Sequence, residues 1–152
     1  MADSAGSHEL LSWDDGLSVG VPEMDGEHQV LLGLYNEAAR AFAAGCGAEG
    51  MRKLLGDLDT YSFYHFGMEE ALMRVCRYPR LREHGGEHAS FRRELAELKA
   101  ALDGGSREVE ERALTFIRTW ISRHIRGSDK ALGLYLAEVS ARWTEQRQNA
   151  VD

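Results

Sequence analysis

The spacing of apolar positions along the chain predicts four helices. Between residues 22 and 124, apolar side chains recur at steps of three and four residues, which is the period of one helix face. Pro22 suits the start of the first helix, and Gly45 and Gly47 follow its end. The second helix is expected to stop before Pro79, and the third at the segment DGG, residues 103–105.

The same spacing predicts which side chains face inward. These positions are His28, Leu31, Leu32, Tyr35, Ala39 and Phe42 on the first helix; Met51, Leu54, Leu58, Tyr61, His65, Met68, Leu72 and Cys76 on the second; Leu81, His84, His88, Phe91, Leu95, Leu98 and Leu102 on the third; and Val109, Ala113, Phe116, Trp120 and His124 on the fourth. A shorter helical segment, DKALGLYLAEVSARW, follows. Residues 1–20 contain too many turn formers for a long helix, so we expect an arm that packs on the bundle through Trp13 and Leu17.

The predicted fold is therefore all-α: an antiparallel four-helix bundle with an N-terminal arm and a short C-terminal helix. The expected organisation is an arm over 1–20, a bundle domain over 21–145 and a tail over 146–152. The composition of the 152 residues agrees, since β-branched residues and proline are sparse.

Charge and composition limit the classes of partner and the cellular compartment that we expect for this chain. The net charge of −7 leaves no basic stripe for nucleic acid. No apolar run is long enough to span a membrane, and the first residues lack the features of a signal peptide. Cys46 and Cys76 are too few for a disulfide framework, so we expect a cytoplasmic protein with reduced thiols, although a bridge between them stays open.

Polar side chains on the inward stripes carry the chemical information. Five of the six histidines lie there, at least one on each helix: His28, His65, His84, His88 and His124. Glu69 lies one turn after His65. Taken singly, each has an ordinary alternative: a hydrogen-bonded core histidine, a solvated pair, or an intrahelical hydrogen bond. Taken together, burying five imidazoles and a carboxylate without strong partners would be costly, and a shared metal site would satisfy all of them.

Asp129 belongs to this site only if the fourth helix is distorted. It lies five positions after His124, which in an ideal helix turns the two side chains about 140° apart. We therefore predict a break or distortion around Gly127 and Ser128 that turns the Asp129 carboxylate back toward the histidines; the alternative is that Asp129 merely caps the short helix.

The number and type of these ligands favour two six-coordinate transition-metal ions. Five imidazoles and two bridging carboxylates supply about nine bonds, which is too many for two tetrahedral zinc ions and has none of the thiolates common at zinc. Two octahedral ions would leave about three positions for small ligands, and the donors suit iron among other metals.

The ordered motifs resemble those of the hemerythrins in their single-domain bacterial form. The chain has His28, then HFGME at 65–69, HGGEH at 84–88 and HIRGSD at 124–129, and the preceding segment LSWDDGLSVGVPEMDGEH is also similar. The resemblance implies two non-haem iron ions joined by an oxo or hydroxo group, with Glu69 and Asp129 bridging them. It implies that His84, His88 and His124 complete the coordination of one iron. It also implies that His28 and His65 hold the other iron, which keeps an open coordination position. It also supports iron over manganese, which the ligands alone do not decide.

The implied function is reversible dioxygen binding for storage, delivery or sensing, not catalysis, with an oxygen-consuming enzyme as receiver. Such a site needs an apolar lining. The lining candidates are Leu31, Leu32, Met68, Leu72, Trp120 and Ile125, for which ordinary core packing is the alternative. Two other classes remain: a di-iron enzyme acting on peroxide, nitric oxide or ferrous iron, and a purely structural bundle. Oligomeric state is not predicted, and Arg126 would either extend outward or face the pocket.

Overall fold

Residues 8–151 are described by a computed structural model. It contains five long α-helices: α1 (Pro22–Ala43), α2 (Gly47–Val75), α3 (Leu81–Ala101), α4 (Arg107–His124) and α5 (Lys130–Asn149). A π-helical segment, Ile125–Asp129, joins α4 to α5 and is called the π turn below. Two single 3₁₀ turns, Asp15–Leu17 and Leu102–Gly104, complete the elements.

The first four helices form the predicted antiparallel bundle, and the C-terminal helix is also present. Neighbouring helices in the ring α1–α2–α3–α4 pack on one another, and α4 closes the ring against α1. Pro22 is the first residue of α1. Gly45 and Gly47 adopt positive φ angles of 76° and 73°, which only glycine adopts without strain, and so allow the tight connection to α2. No helix among residues 8–151 is long and apolar enough to cross a lipid bilayer.

Two of the predicted stripes are rotated relative to the observed ones. On α2 the buried side chains are Met51, Leu55, Leu58, Ser62, His65, Phe66, Glu69 and Met73, and on α4 they are Glu110, Ala113, Leu114, Ile117, Ile121 and His124. Met68 is 52% exposed. The expectation that Met68 faces inward is therefore wrong, because His65, Phe66 and Glu69 already define the inner face and Met68 lies about 100° from Glu69 around the helix.

The N-terminal arm packs as expected. Leu17 is buried, and Trp13 is partly buried against the core. The backbone of Leu11 exchanges two hydrogen bonds of 2.8 Å with the side-chain amide of Asn36 on α1. Residues 1–7 of the predicted arm, and Asp152 of the predicted tail, lie outside the described part of the chain.

The C-terminal helix continues four residues past the predicted domain limit at 145. Its first turns pack on the π turn and the arm, and Leu132 is fully buried. The backbone of Gly133 packs directly against the carbonyl group of Val19. From residue 140 to residue 151 every side chain is exposed.

The antiparallel order explains where the polar cluster lies. His28 is near the start of α1, His65 near the end of α2, His84 near the start of α3 and His124 at the end of α4. In an antiparallel bundle these ends are adjacent, so the histidines meet at one end. Apolar side chains such as Leu55 fill the other end.

Candidate metal centre

Seven buried side chains converge at this end of the bundle. They are His28, His65, Glu69, His84, His88, His124 and Asp129, and none is more than 5% exposed. Their ligand atoms form two overlapping sets, within each of which all atoms lie within 4.8 Å of one another. We call His84, His88 and His124 the three-histidine group, and His28 and His65 the two-histidine group. Glu69 and Asp129 belong to both sets.

Glu69 lies between the two groups of histidines. Its Oε1 atom is 2.9 Å from the Nε2 atom of His65 and 3.5 Å from that of His28. Its Oε2 atom is 3.2 Å from the Nε2 atoms of both His84 and His88. One carboxylate oxygen therefore faces each group.

Asp129 is placed in the same way. Its Oδ2 atom is 3.0 Å from the Nε2 atom of His28, and its Oδ1 atom is 3.1 Å from those of both His84 and His124. Two carboxylates that each present one oxygen to either side are arranged to bridge a pair of adjacent cations.

Local helix geometry explains how these side chains share a face. His65 with Glu69, and His84 with His88, are four residues apart on regular helices, so each pair is aligned. Between His124 and Asp129 the π turn adds one residue to the helical repeat. The predicted distortion around Gly127 is thus confirmed, but as a widened turn and not as an end of the helix.

The imidazoles and carboxylates of the cluster shift one another's pKa values. Burial by itself lowers the pKa of His28 and of His84, but the adjacent Asp129 and Glu69 carboxylates outweigh it and raise each pKa to about 9. Burial raises the pKa of the Glu69 carboxyl, yet the surrounding imidazoles hold it well below its usual value. The two carboxylates therefore favour positive charge on the imidazoles around them.

Hydrogen bonds do not satisfy the cluster. Among residues 8–151, three buried carboxylate oxygens have no partner in hydrogen-bonding geometry, although imidazole nitrogens lie close to them: Oε1 of Glu69 and both Oδ atoms of Asp129. The Nε2 atoms of His28 and His65 face each other at 3.1 Å, although at most one neutral nitrogen of the two can donate to the other. Buried polar atoms without partners are costly, and coordination to cations would satisfy them. The nitrogen and oxygen donors, with no thiolate, fit transition-metal ions such as iron.

Three of the histidines contact a carboxylate of the preceding helix through Nδ1, the ring nitrogen that faces away from the cluster. The Nδ1 contacts are His65 with Glu27 at 3.3 Å, His88 with Glu70 at 3.1 Å and His124 with Glu87 at 2.7 Å. The Nδ1 atoms of His28 and His84 have no partner among residues 8–151. Carboxylates in this position fix the ring orientation of a ligating histidine. Sequence reasoning missed all three, although each is adjacent in the chain to a predicted ligand.

The six predicted lining residues differ in how deeply they are buried. Leu31, Leu32 and Ile125 are buried, and Leu72 and Trp120 are partly buried. Met68 is at the surface and lines no interior space.

Two aromatic rings pack directly on the cluster. Phe66 stacks on His88 with ring centroids 3.9 Å apart, and Trp120 stacks on His124 at 4.2 Å. Phe66 was not predicted, because the expected stripe on α2 was too narrow to include the residue after His65.

Arg126 points away from the site. Its guanidinium pairs with Asp14 of the arm at 2.7 Å, and its side chain is about half exposed. The question that the sequence left open is therefore answered in favour of the outward orientation.

Known proteins resemble this chain in sequence and in fold. The model of the hemerythrin HHE cation-binding domain matches residues 19–135. The bacteriohemerythrin of Stenotrophomonas maltophilia (strain R551-3) is 28% identical over 122 residues, which cover 80% of this chain and 78% of the relative. Myohemerythrin-1 of Phascolopsis gouldii is 32% identical over 122 residues, which cover 80% of this chain and 90% of the relative. A crystal structure of wild-type hemerythrin superposes with a TM-score of 0.76 at 27% identity, over 84% of this chain and 98% of that one.

Proposed function

Because this chain belongs to the hemerythrin family, we propose that it binds dioxygen reversibly at two non-haem iron ions and serves oxygen storage, delivery or sensing. The observation that carries the proposal is the orientation of Glu69 and Asp129, each of which presents one oxygen to either group of histidines.

The two groups supply unequal numbers of ligands. The three-histidine group with both carboxylates offers five donors, and the two-histidine group with the same carboxylates offers four. An oxo or hydroxo group shared by two ions would add one donor to each, so the three-histidine side would supply six donors and the two-histidine side five. The vacant position is therefore proposed to lie beside His28 and His65. Two ferrous ions held there would supply the two electrons that dioxygen accepts on binding and returns on release.

The role of the surrounding chain is to keep water and protons away. Leu31, Leu32 and Ile125 are buried. Apart from the two proposed bridging residues, the only buried carboxylate in residues 8–151 is Glu110. It lies 14 residues before His124 on α4, which places it about 21 Å away along the helix. The partly buried Glu27 bonds Nδ1 of His65, the nitrogen that faces away from the cluster. No other fully buried carboxylate of residues 8–151 lies near the vacant position, which favours binding over oxidation chemistry.

A cycle of oxygenation and evacuation tests the proposal. Iron-free protein is loaded anaerobically with ferrous iron, exposed to dioxygen and then evacuated. We expect about two irons per chain and recovery of the starting spectrum over repeated cycles. Irreversible oxidation with turnover of a reductant would instead support a di-iron enzyme, and a wild-type chain that binds no iron would leave a structural bundle. The variant His84→Ala is the control, because it should stay helical and bind less iron.

The location of the protein and the receiver of its oxygen are further proposals. Two cysteines in 152 residues fit a reducing compartment, so we propose the cytoplasm. An oxygen-consuming enzyme there would take up the dioxygen.

A further inference from the structure

Glu87 on α3 makes contacts that the other outer carboxylates do not make. Its Oε2 atom accepts a hydrogen bond of 2.7 Å from Nδ1 of His124, the last residue of α4. The hydroxyl of Ser128 donates to the same carboxylate, with both oxygens at 2.8 Å. Ser128 lies inside the π turn, immediately before Asp129. One side chain of α3 therefore holds both ends of the segment that separates two proposed ligands.

The π turn needs such support because it is an uncommon conformation. A regular helix would be the ordinary continuation of α4 and would turn His124 and Asp129 to different faces. On the outer side, Arg126 pairs with Asp14, but an exposed ion pair of this kind contributes little. The contacts of Glu87 come from α3 instead: its side chain is 38% exposed, but its partner His124 is buried and Ser128 is partly buried.

We propose that Glu87 is a positioning residue that fastens the π turn to α3 and thereby holds His124 and Asp129 in place for metal binding. This inference rests on the proposed di-iron function. It assigns Glu87 no contact with the metal, since its carboxylate bonds the Ser128 hydroxyl and, on His124, only Nδ1, the nitrogen that faces away from the cluster.

The Glu87 side chain lies between a surface groove and His124, so its removal would expose His124 to solvent. A groove of about 540 Å³ opens there and is lined by Glu87, Trp120, His124 and Ser128, among others. Without the carboxylate, water from this groove would reach Nδ1 of His124. The imidazole would then be free to rotate off the ring of Trp120, on which it is stacked.

Four variants test the inference. Glu87→Ala removes both contacts, and Ser128→Ala removes only the contact to the π turn. Glu87→Gln keeps an acceptor for His124 and an amide that can donate to Ser128. Glu83→Ala is the matched control, because Glu83 lies one turn earlier on α3 and bonds only the exposed Arg80.

The first measurement is iron affinity, taken as competition with a ferrous chelator. We expect Glu87→Ala to weaken binding by about 10- to 100-fold, the usual effect of losing such a partner. Ser128→Ala should weaken it less, Glu87→Gln should restore most of the affinity, and Glu83→Ala should match the wild type. The iron-loaded azide adduct of Glu87→Ala should also have an altered visible spectrum.

The second measurement needs no metal. In a Trp13→Phe, Trp143→Phe background, the fluorescence of Trp120 reports whether His124 stays stacked on it. The iron-free Glu87→Ala variant should show a changed emission, whereas Glu83→Ala should not.

Two results would overturn the inference: a helical Glu87→Ala variant with wild-type affinity and Trp120 emission, or, if that variant does not fold, a Ser128→Ala variant indistinguishable from wild type in both measurements. If wild-type protein binds no iron, the proposed function fails. The Trp120 fluorescence of the iron-free Glu87→Ala variant then decides by itself whether Glu87 fastens the π turn.

Discussion

The Nε2 atom of His124 lies 3.1 Å from Oδ1 of Asp129, although Asp129 is five positions further along one continuous helical segment. A regular α-helix places residues at this separation on different faces. The π turn is what brings the second carboxylate to the cluster, so the bridge between the two groups of histidines depends on a local departure from α-helical geometry.

The first prediction concerns Asp129. If this carboxylate is shared by both ions, Asp129→Asn weakens both sites, because an amide offers only one oxygen and no charge. We expect iron content to fall from about two ions per chain to below one after gel filtration, as measured by metal analysis. The control is Asp103→Asn, an exposed carboxylate paired with Arg52. Two retained irons in Asp129→Asn would show that this residue is not a shared ligand.

The second prediction concerns the stability of the iron-free protein. The pKa of His28 and of His84 is raised from 6.5 to about 9 in the folded chain. Their ion pairs with the carboxylates therefore stabilise the folded state fully below pH 6.5, and this stabilisation is lost as pH rises through about 9. The pKa of Glu69 and of Asp129 is lowered, so their contribution is present above their ordinary values and lost as pH falls. Stability should thus be highest between about pH 4.5 and 6.5.

Thermal unfolding with and without iron checks this dependence. The Tm of iron-free protein should decrease from pH 6.5 to pH 9, as those ion pairs are lost. Iron-loaded protein should not show the decrease, because metal ligation deprotonates the imidazoles and is favoured at higher pH. If Tm depended on pH in the same way in both forms, the residues that form these ion pairs would not be the residues that bind the iron.

The third prediction concerns the contact between the arm and α5. A Cβ atom at position 133 would overlap the backbone carbonyl of Val19, which cannot move as a side chain can. We expect Gly133→Ala to cost about 1–3 kcal/mol in the free energy of unfolding, measured by urea denaturation. The matched control is Gly127→Ala, where an added Cβ meets nothing within 4 Å. A Gly133→Ala variant as stable as Gly127→Ala would mean that the arm does not pack here in solution.

The fourth prediction concerns the two glycines between His84 and His88. A Cβ at Gly86 would meet nothing within 4 Å, and one at Gly85 would make only ordinary contact with Glu70 at 3.9 Å. Close packing therefore does not require either glycine. We expect Gly86→Ala to raise the free energy of unfolding by up to about 1 kcal/mol through helix propensity, with iron content unchanged. A destabilised variant would show that backbone freedom at this position matters.

Apolar spacing was sufficient for the helices but not for their exact faces. On α1 all six predicted inward residues, from His28 to Phe42, are buried. On α4 the spacing selected Phe116 and Trp120, whereas Ile117 and Ile121 are the buried residues. Both sets have helical period and large apolar side chains, so only the neighbouring helices decide which set faces the core.

The sequence by itself determined the seven polar positions and the need for a distortion before Asp129, because residue spacing fixes angles around a helix axis. Tertiary structure decided which carboxylate oxygen faces which histidine, that Arg126 turns outward to Asp14, and that Glu87 reaches both His124 and Ser128. These contacts join different helices or the arm to a helix. Their distances depend on how the elements pack, which no periodicity within a single element can specify.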